Sequence, residues 1–213
     1  PKYKNFNLID KKRTEVIFNA LHGKDGEDGI AQSYFEYLKI PYTHSGVVSS
    51  YNSMNKVISK EIFIKNKIDT PKYFSRNKND INFKNLKKLL KKKKMTFPIV
   101  IKPIDEGSSL GVKICKNIND LTRSTKNLFK SYENLIFEQF IGGQEIQVAI
   151  IDNIPLGAIE LIPKRSFYDY KAKYSKSART EHVMPARLKK NKYLEVMNLA
   201  KQAHKALGCR GVT

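Results

Sequence analysis

The run "QEIQVAIIDNIPLGAIELIP", Gln144 to Pro163, constrains the fold most. Two apolar, β-branched stretches flank Asp152-Asn153, residue types that tolerate the left-handed backbone of a tight turn. The spacing predicts two antiparallel strands turning at that pair. An internal hairpin excludes a single, all-parallel, doubly wound sheet. Strand-like and helix-like stretches alternate around it, so the expected class is mixed α/β.

Other stretches fill in this reading. "TEVIFNALHG" (14–23) reads as a buried-type strand ending at His22-Gly23, and "GEDGIAQSYFEYLKI" (26–40) as a short helix. "SSYNSMNKVISKEIFIKNK" (49–67) is expected to be one longer helix, capped by Ser49 or Ser50 and broken by Asp69-Thr70-Pro71. "FPIVIKP" (97–103), "LGVKICK" (110–116) and "NLIFEQFI" (134–141) read as strands, and "NINDLTRSTKNLFKSY" (117–132) as a helix. "FYDYKAKYSKSARTEH" (167–182) has little apolar periodicity and reads as a long polar loop. "KKNKYLEVMNLAKQAHKALG" (189–208) is a helix with Tyr193, Met197, Ala200 and Leu207 on one stripe and Gly208 as its stop. His204, among its lysines, is expected to be solvated.

Composition narrows the function classes. The 213 residues are 40% hydrophobic, enough for a real core and for one large or two small domains. Two cysteines, Cys115 and Cys209, do not make a disulfide framework, so a reduced, cytoplasmic protein is expected. No run reaches the roughly eighteen apolar residues of a membrane span. The formal net charge of +20 raises a basic nucleic-acid-binding module as one reading. Lysine dominates, however, and no aromatic RNA-recognition signature or zinc spacing accompanies it. The densest run, "NLKKLLKKKKMTF" (85–97), suits a helix C-terminus entering a loop.

Common site motifs are missing. The sequence has no G-x-x-x-x-G-K-[ST], G-x-G-x-x-G, H-E-x-x-H or C-x-x-C pair. What it has is "VIKPIDEGSSLGVKI" (100–114), a Gly/Ser loop between two strands, with Lys102 closing the first. Lys56 lies on an earlier helix. Further on, Glu138 ends a strand, and an apolar, glycine-containing segment runs from it to Glu145. Two lysines, a loop rich in backbone N–H groups and an acid-flanked strand end describe a nucleotide triphosphate site without a P-loop.

The blocks "FNALHGKDGEDG" (18–29), "IPYTHSGVVSSYNSMNK" (40–56), "FPIVIKPIDEGSSLGV" (97–112), "LIFEQFIGGQE" (135–145), "FYDYKAKY" (167–174) and "LGCRGV" (207–212) stand in one order. In that order and spacing the chain resembles the D-alanine–D-alanine ligases of the ATP-grasp superfamily over nearly its whole length. The resemblance implies an ATP-grasp fold preceded by part of a Rossmann-like N-terminal domain. It places the remainder of that domain at 1–43, a central ATP-grasp subdomain at 44–137 and the start of a C-terminal one at 138–213. It implies that Lys56 and Lys102 contact phosphates, and that Glu106, Gly107, Ser108, Ser109 and Gly111 form their lid. Glu138 would meet the adenine amino group, Phe140 and Ile141 would line the hinge, and Glu145 would hold the ribose. His22 would face the first D-alanine. Lys173 would balance phosphate and carboxylate charge, Tyr174 would bond Ser108 as a loop closes, and Tyr168 would contribute to that closed loop.

The implied reaction is ATP-dependent joining of two D-alanines through an acyl phosphate, for peptidoglycan precursors. The implied cofactors are ATP with Mg²⁺ or Mn²⁺, and the implied partners are D-alanine and a second copy in a homodimer. Neither nucleic acid nor membrane is expected. Tyr174 favours D-alanine over D-lactate as second substrate. A carboxylate–amine ATP-grasp ligase acting on another D-amino or hydroxy acid is the nearest alternative. The family's N-terminal substrate glutamate, its Arg-x-Asp run and its Glu-x-Asn metal motif have no counterpart between Pro1 and Thr213. No metal residue is therefore named, and this stretch by itself is expected to bind ATP poorly and not to catalyse. Asn55 stands where the family has an acid before the lysine.

Overall fold

The computed structural model describes residues 9–163 and 180–213. They form two compact units, one built from residues up to Ile68 with Glu145–Ile162 and Glu181–Thr213, the other from Asp69–Gln144.

The second unit is an antiparallel sheet under two helices. Its strands are β1 (Tyr73–Asn77), β2 (Ile99–Pro103), β3 (Lys113–Cys115) and β4 (Asn134–Gln139), in the order β1-β4-β2-β3. The β2 and β4 sequences read as near-continuous apolar runs because they are the two central strands. The pairing register puts Phe74, Ile99, Ile101, Cys115, Leu135 and Phe137 on one face, and all six are buried. Two of the helices, here numbered along the whole chain, are α4 (Leu86–Lys92) and α5 (Ile118–Leu128); they bury Leu86, Leu90, Leu121 and Leu128 in the same core. Phe74 and Phe137 stack at 4.6 Å between centroids. Asn117 caps α5 by accepting from Asp120 N–H at 2.9 Å. The lysine-rich run ends α4 as expected, with Lys91 and Lys92 in its last turn.

The first unit holds the hairpin. Strands β5 (Glu145–Ile151), β6 (Ile154–Ile162) and β7 (Glu181–Val183) form an antiparallel sheet in that order. Asp152 and Asn153 turn it with φ of 46° and 71°, the left-handed pair the sequence calls for. Helix α6 (Lys190–Ala206) packs on β5 and β6, where the Tyr193 hydroxyl accepts from Ala158 N–H at 2.9 Å. The unit also contains α1 (Ile30–Leu38), α2 (Val47–Met54) and α3 (Lys56–Lys65). Among the described residues no helix is long and apolar enough to cross a membrane.

Four expectations are corrected. Residues 14–23 do not form a strand: only Ile17 finds a neighbour, in an isolated parallel bridge to Tyr42. An apolar run with one rung of pairing is not a ladder. The single helix at 49–67 is two helices, divided at Asn55, whose side chain accepts from Val57 and Ile58 N–H and so starts α3 afresh. Neither Ser49 nor Ser50 is a cap; both are buried inside α2, whose N-cap is Gly46. Glu181 and His182, read as the end of a polar loop, belong to β7 because they pair with Ile162 and Leu161.

Candidate functional site

Strand periodicity sorts the second unit's sheet into two chemistries. With one face committed to the core, the alternate residues Val100, Lys102, Ile136 and Glu138 share the other. Lys102 opposes Ile136 and Glu138 opposes Val100, so the two charged residues are diagonal neighbours. Lys102 Nζ lies 2.5 Å from Glu138 Oε2. The Glu138 side chain is only 8% exposed and that of Lys102 22%. In so dry a position a carboxylate needs a cationic donor, which fixes the ammonium at the strand end. An anion arriving there meets a cation already in place.

The Gly/Ser loop leaves β2 directly after that lysine. Ser108, Ser109 and Gly111 take φ of 49°, 59° and 70°. Such left-handed steps turn successive N–H groups to one side of the chain, the geometry that cradles anions. The loop closes on itself through Leu110 N–H to Gly107 O at 3.0 Å. Only glycine fits at 111, since a Cβ there would stand 2.8 Å from the Pro103 ring. Tyr132 lies beside the loop: burial, then Glu106 and Asp105, push its phenol upward.

At the other end of β4, Gln139 N–H donates to Lys72 O at 2.9 Å and Phe140 N–H to Pro98 O at 3.2 Å. Ile141 follows with 64% of its surface exposed, and Gly143 takes φ of 121°. The segment is thus an extended strand end beside Glu138, suited to a flat base. The structure therefore gathers Lys102, Glu106, Gly107, Ser108, Ser109, Gly111, Glu138, Phe140 and Ile141 in one unit.

His22, Lys56 and Glu145 belong to the other unit. The His22 ring is largely exposed, with Nδ1 3.7 Å from Glu27 Oε1. Lys56 opens α3 and Glu145 opens β5. Tyr168, Lys173 and Tyr174 lie outside the described residues.

The expectation of a solvated His204 is overturned. Its residue is 3% exposed, Nδ1 lies 2.7 Å from Thr213 Oγ1, and Nε2 has no partner among the described residues. Burial lowers its pKa, and Asp152 acts the other way. The signal was present: position 204 continues the stripe Tyr193, Met197, Ala200 at helical spacing. His204 lines a cavity of about 740 Å³ in the first unit, with Phe18, Gln32, Ser50, Val148 and Leu207. Among the described residues no group of three His, Cys, Asp or Glu side chains could hold a metal ion.

Known proteins resemble the chain in sequence and in fold. A family model described as "D-ala D-ala ligase C-terminus" matches residues 62–213. The D-alanine--D-alanine ligase of Pelagibacter ubique (strain HTCC1062) is 54% identical over 209 residues, across 96% of this chain and 66% of the relative. The crystal structure of D-alanine--D-alanine ligase from Bacillus anthracis matches with a TM-score of 0.82 at 35% identity, covering 98% of this chain and 67% of that one. The same ligase complexed with ATP matches at 0.77 and 31%, covering 94% and 62%. The chain spans about two thirds of the length of the curated relatives it matches.

Proposed function

The chain belongs to the D-alanine–D-alanine ligase family and has its ATP-grasp fold, and from that premise we propose that this protein joins two D-alanines into D-alanyl-D-alanine, driven by ATP. The observation that carries the proposal is the Lys102–Glu138 pair on the face of the sheet opposite its core, next to the left-handed Gly/Ser loop. This is a cation beside a ring of N–H donors, with an acid at an extended strand end for the base.

The roles follow from charge. The carboxylate of the first D-alanine attacks the γ-phosphorus of ATP, giving an acyl phosphate and ADP. Negative charge spreads over the phosphoryl oxygens as this happens. In this reading Lys102, Lys56 and the N–H groups of Glu106–Gly111 meet that charge, which is where most of the acceleration arises. The amine of the second D-alanine then attacks the acyl carbon, loses a proton, and inorganic phosphate leaves. His22 faces the first D-alanine, Glu145 takes the ribose, and Phe140 and Ile141 line the adenine. Ser108, Tyr168, Lys173 and Tyr174 complete the covered site, which must exclude water while the acyl phosphate exists. Mg²⁺ or Mn²⁺ is the divalent ion proposed to accompany the nucleotide; the described residues do not supply its ligands, and no step is derived through it.

The same reading divides the chain at residues 44 and 138, between a pre-grasp part and two grasp subdomains. It makes the protein a cytoplasmic homodimer that supplies peptidoglycan precursors. Incubation of the full-length protein with ATP, Mg²⁺ and D-alanine, beside L-alanine and D-lactate, tests it. Dipeptide and phosphate in equal amounts from D-alanine alone are expected. Turnover with L-alanine at the same rate, or phosphate without dipeptide, would sink the reading.

A further inference from the structure

The Gln139 side chain makes a set of bonds that the proposed chemistry leaves unexplained. Its Oε1 accepts from Thr96 N–H at 2.9 Å, and its Nε2 donates to Thr96 O at 2.9 Å. A longer contact of 3.4 Å reaches Pro98 O. One carboxamide thus satisfies both backbone polar groups of a residue 43 positions away.

The register explains why that residue matters. Ile99 opposes Gln139, and Phe140 N–H bonds Pro98 O, so Pro98 and Phe140 form a hydrogen-bonded rung. In an antiparallel ladder such rungs recur every second residue. In unbroken register the next one would join Thr96 to Gly142, but the Phe97–Pro98 peptide is cis and interrupts that register. That rung does not form. The amide of Gln139, chemically the same group as a peptide unit, meets Thr96 instead. Pro98 helps at the preceding rung, because it has no N–H to return to Phe140. The strand therefore ends at Gln139, and the chain turns away through Phe140 and Ile141. Among the described residues no protein group takes the backbone N–H of Ile141 or Gly142.

We infer that Gln139 is the positioning residue of the adenine-facing segment: its side chain ends β4 by clasping the backbone of Thr96, and so fixes the point from which Phe140 and Ile141 depart toward the base. Gln139 lies on the core side of the strand, opposite to Glu138, so it acts through the backbone and not by touching nucleotide. The inference rests on the ligase reading only in naming adenine as the group received.

The test compares full-length wild type with Gln139→Leu and Gln139→Glu. In Gln139→Leu both Thr96 bonds are lost, and the end of β4 loses its clasp. Its KM for ATP should rise about tenfold, the size expected from roughly one good hydrogen bond. Its preference for ATP over GTP should fall by a similar factor, with kcat within about twofold and the KM for D-alanine unchanged. Gln139→Glu keeps the acceptor for Thr96 N–H and should fall between the two; it also carries the comparison if the leucine variant does not fold. A lower melting temperature with unchanged ATP KM and unchanged base preference would make Gln139 merely structural and overturn the inference alone. A wild type that turns over no amino acid overturns the ligase reading instead. The inference is then decided by calorimetric ATP affinities of the same proteins, equal values overturning it.

Discussion

The four-stranded sheet and the stretch from Glu15 to Gly46 make a useful pair. Each was expected to end an apolar strand at a basic site residue, Lys102 in one and His22 in the other. In the sheet, every core-facing apolar position has a cross-strand neighbour and helices above it, and Lys102 is held at 2.5 Å from a nearly buried carboxylate. In the stretch, Ile17 makes one bridge, Phe18 is 75% exposed, and His22 stands in solvent near Glu27. An apolar pattern states a willingness to be buried; only pairing and packing convert it into a fixed side-chain position.

Substitutions can break or sharpen this contrast. The largest effect is expected in the sheet's core. Phe137→Ala removes a fully buried ring stacked on Phe74 and should destabilise by about 3–5 kcal/mol in denaturant unfolding. Phe18→Ala should stay within about 0.5 kcal/mol. Equal losses would mean that the two regions are packed alike.

Glycines give a second, smaller comparison. Gly111 and Gly23 have nearly the same φ, 70° and 74°. A methyl at 111 runs into the Pro103 ring and Tyr132, whereas at 23 it meets nothing within 4 Å. Gly23→Ala should lose only the left-handed penalty of about 1 kcal/mol. Gly111→Ala should lose about 2–3 kcal/mol in the same unfolding assay, because contact strain adds to that penalty. A penalty at 111 no larger than at 23 would mean that the loop yields freely.

The smallest effect concerns pH. Burial holds His204 neutral, with a folded pKa below its ordinary 6.5. The unfolded chain therefore takes up a proton there before the folded chain does. Stability from this source is complete above about pH 6.5 and is lost as pH falls through the folded pKa. His204→Asn should flatten the slope of stability against pH below that point and leave it unchanged near pH 8. An unaltered acid slope would show that another group governs it.

Much of the frame around the candidate site was legible because its signals are local. The Asp152-Asn153 turn, the apolar runs of β2 and β4, and the Gly/Ser loop between strands all follow from a few adjacent residues. What escaped was long-range. The absence of a ladder at 14–23 depends on which strands are available to pair. Asn55 was noted as a departure from the family, but its capping of α3 was not foreseen. His204 was judged by its lysine neighbours in sequence, although Ala200 and Met197 are its neighbours in space. The Gln139 clasp joins residues 43 apart and leaves no periodic trace.

The central claim is that the face of the four-stranded sheet opposite its core, with Lys102 at its end, receives the nucleotide. Calorimetric titration of the full-length protein with ATP and Mg²⁺, wild type beside Lys102→Ala, tests it most directly. The account predicts an affinity at least about tenfold weaker for Lys102→Ala, since a charge-assisted phosphate contact is lost. Far-ultraviolet circular dichroism should be unchanged in both. Equal affinities from two equally folded proteins would contradict the account, because the best-positioned cation of that face would then have no part in holding the nucleotide.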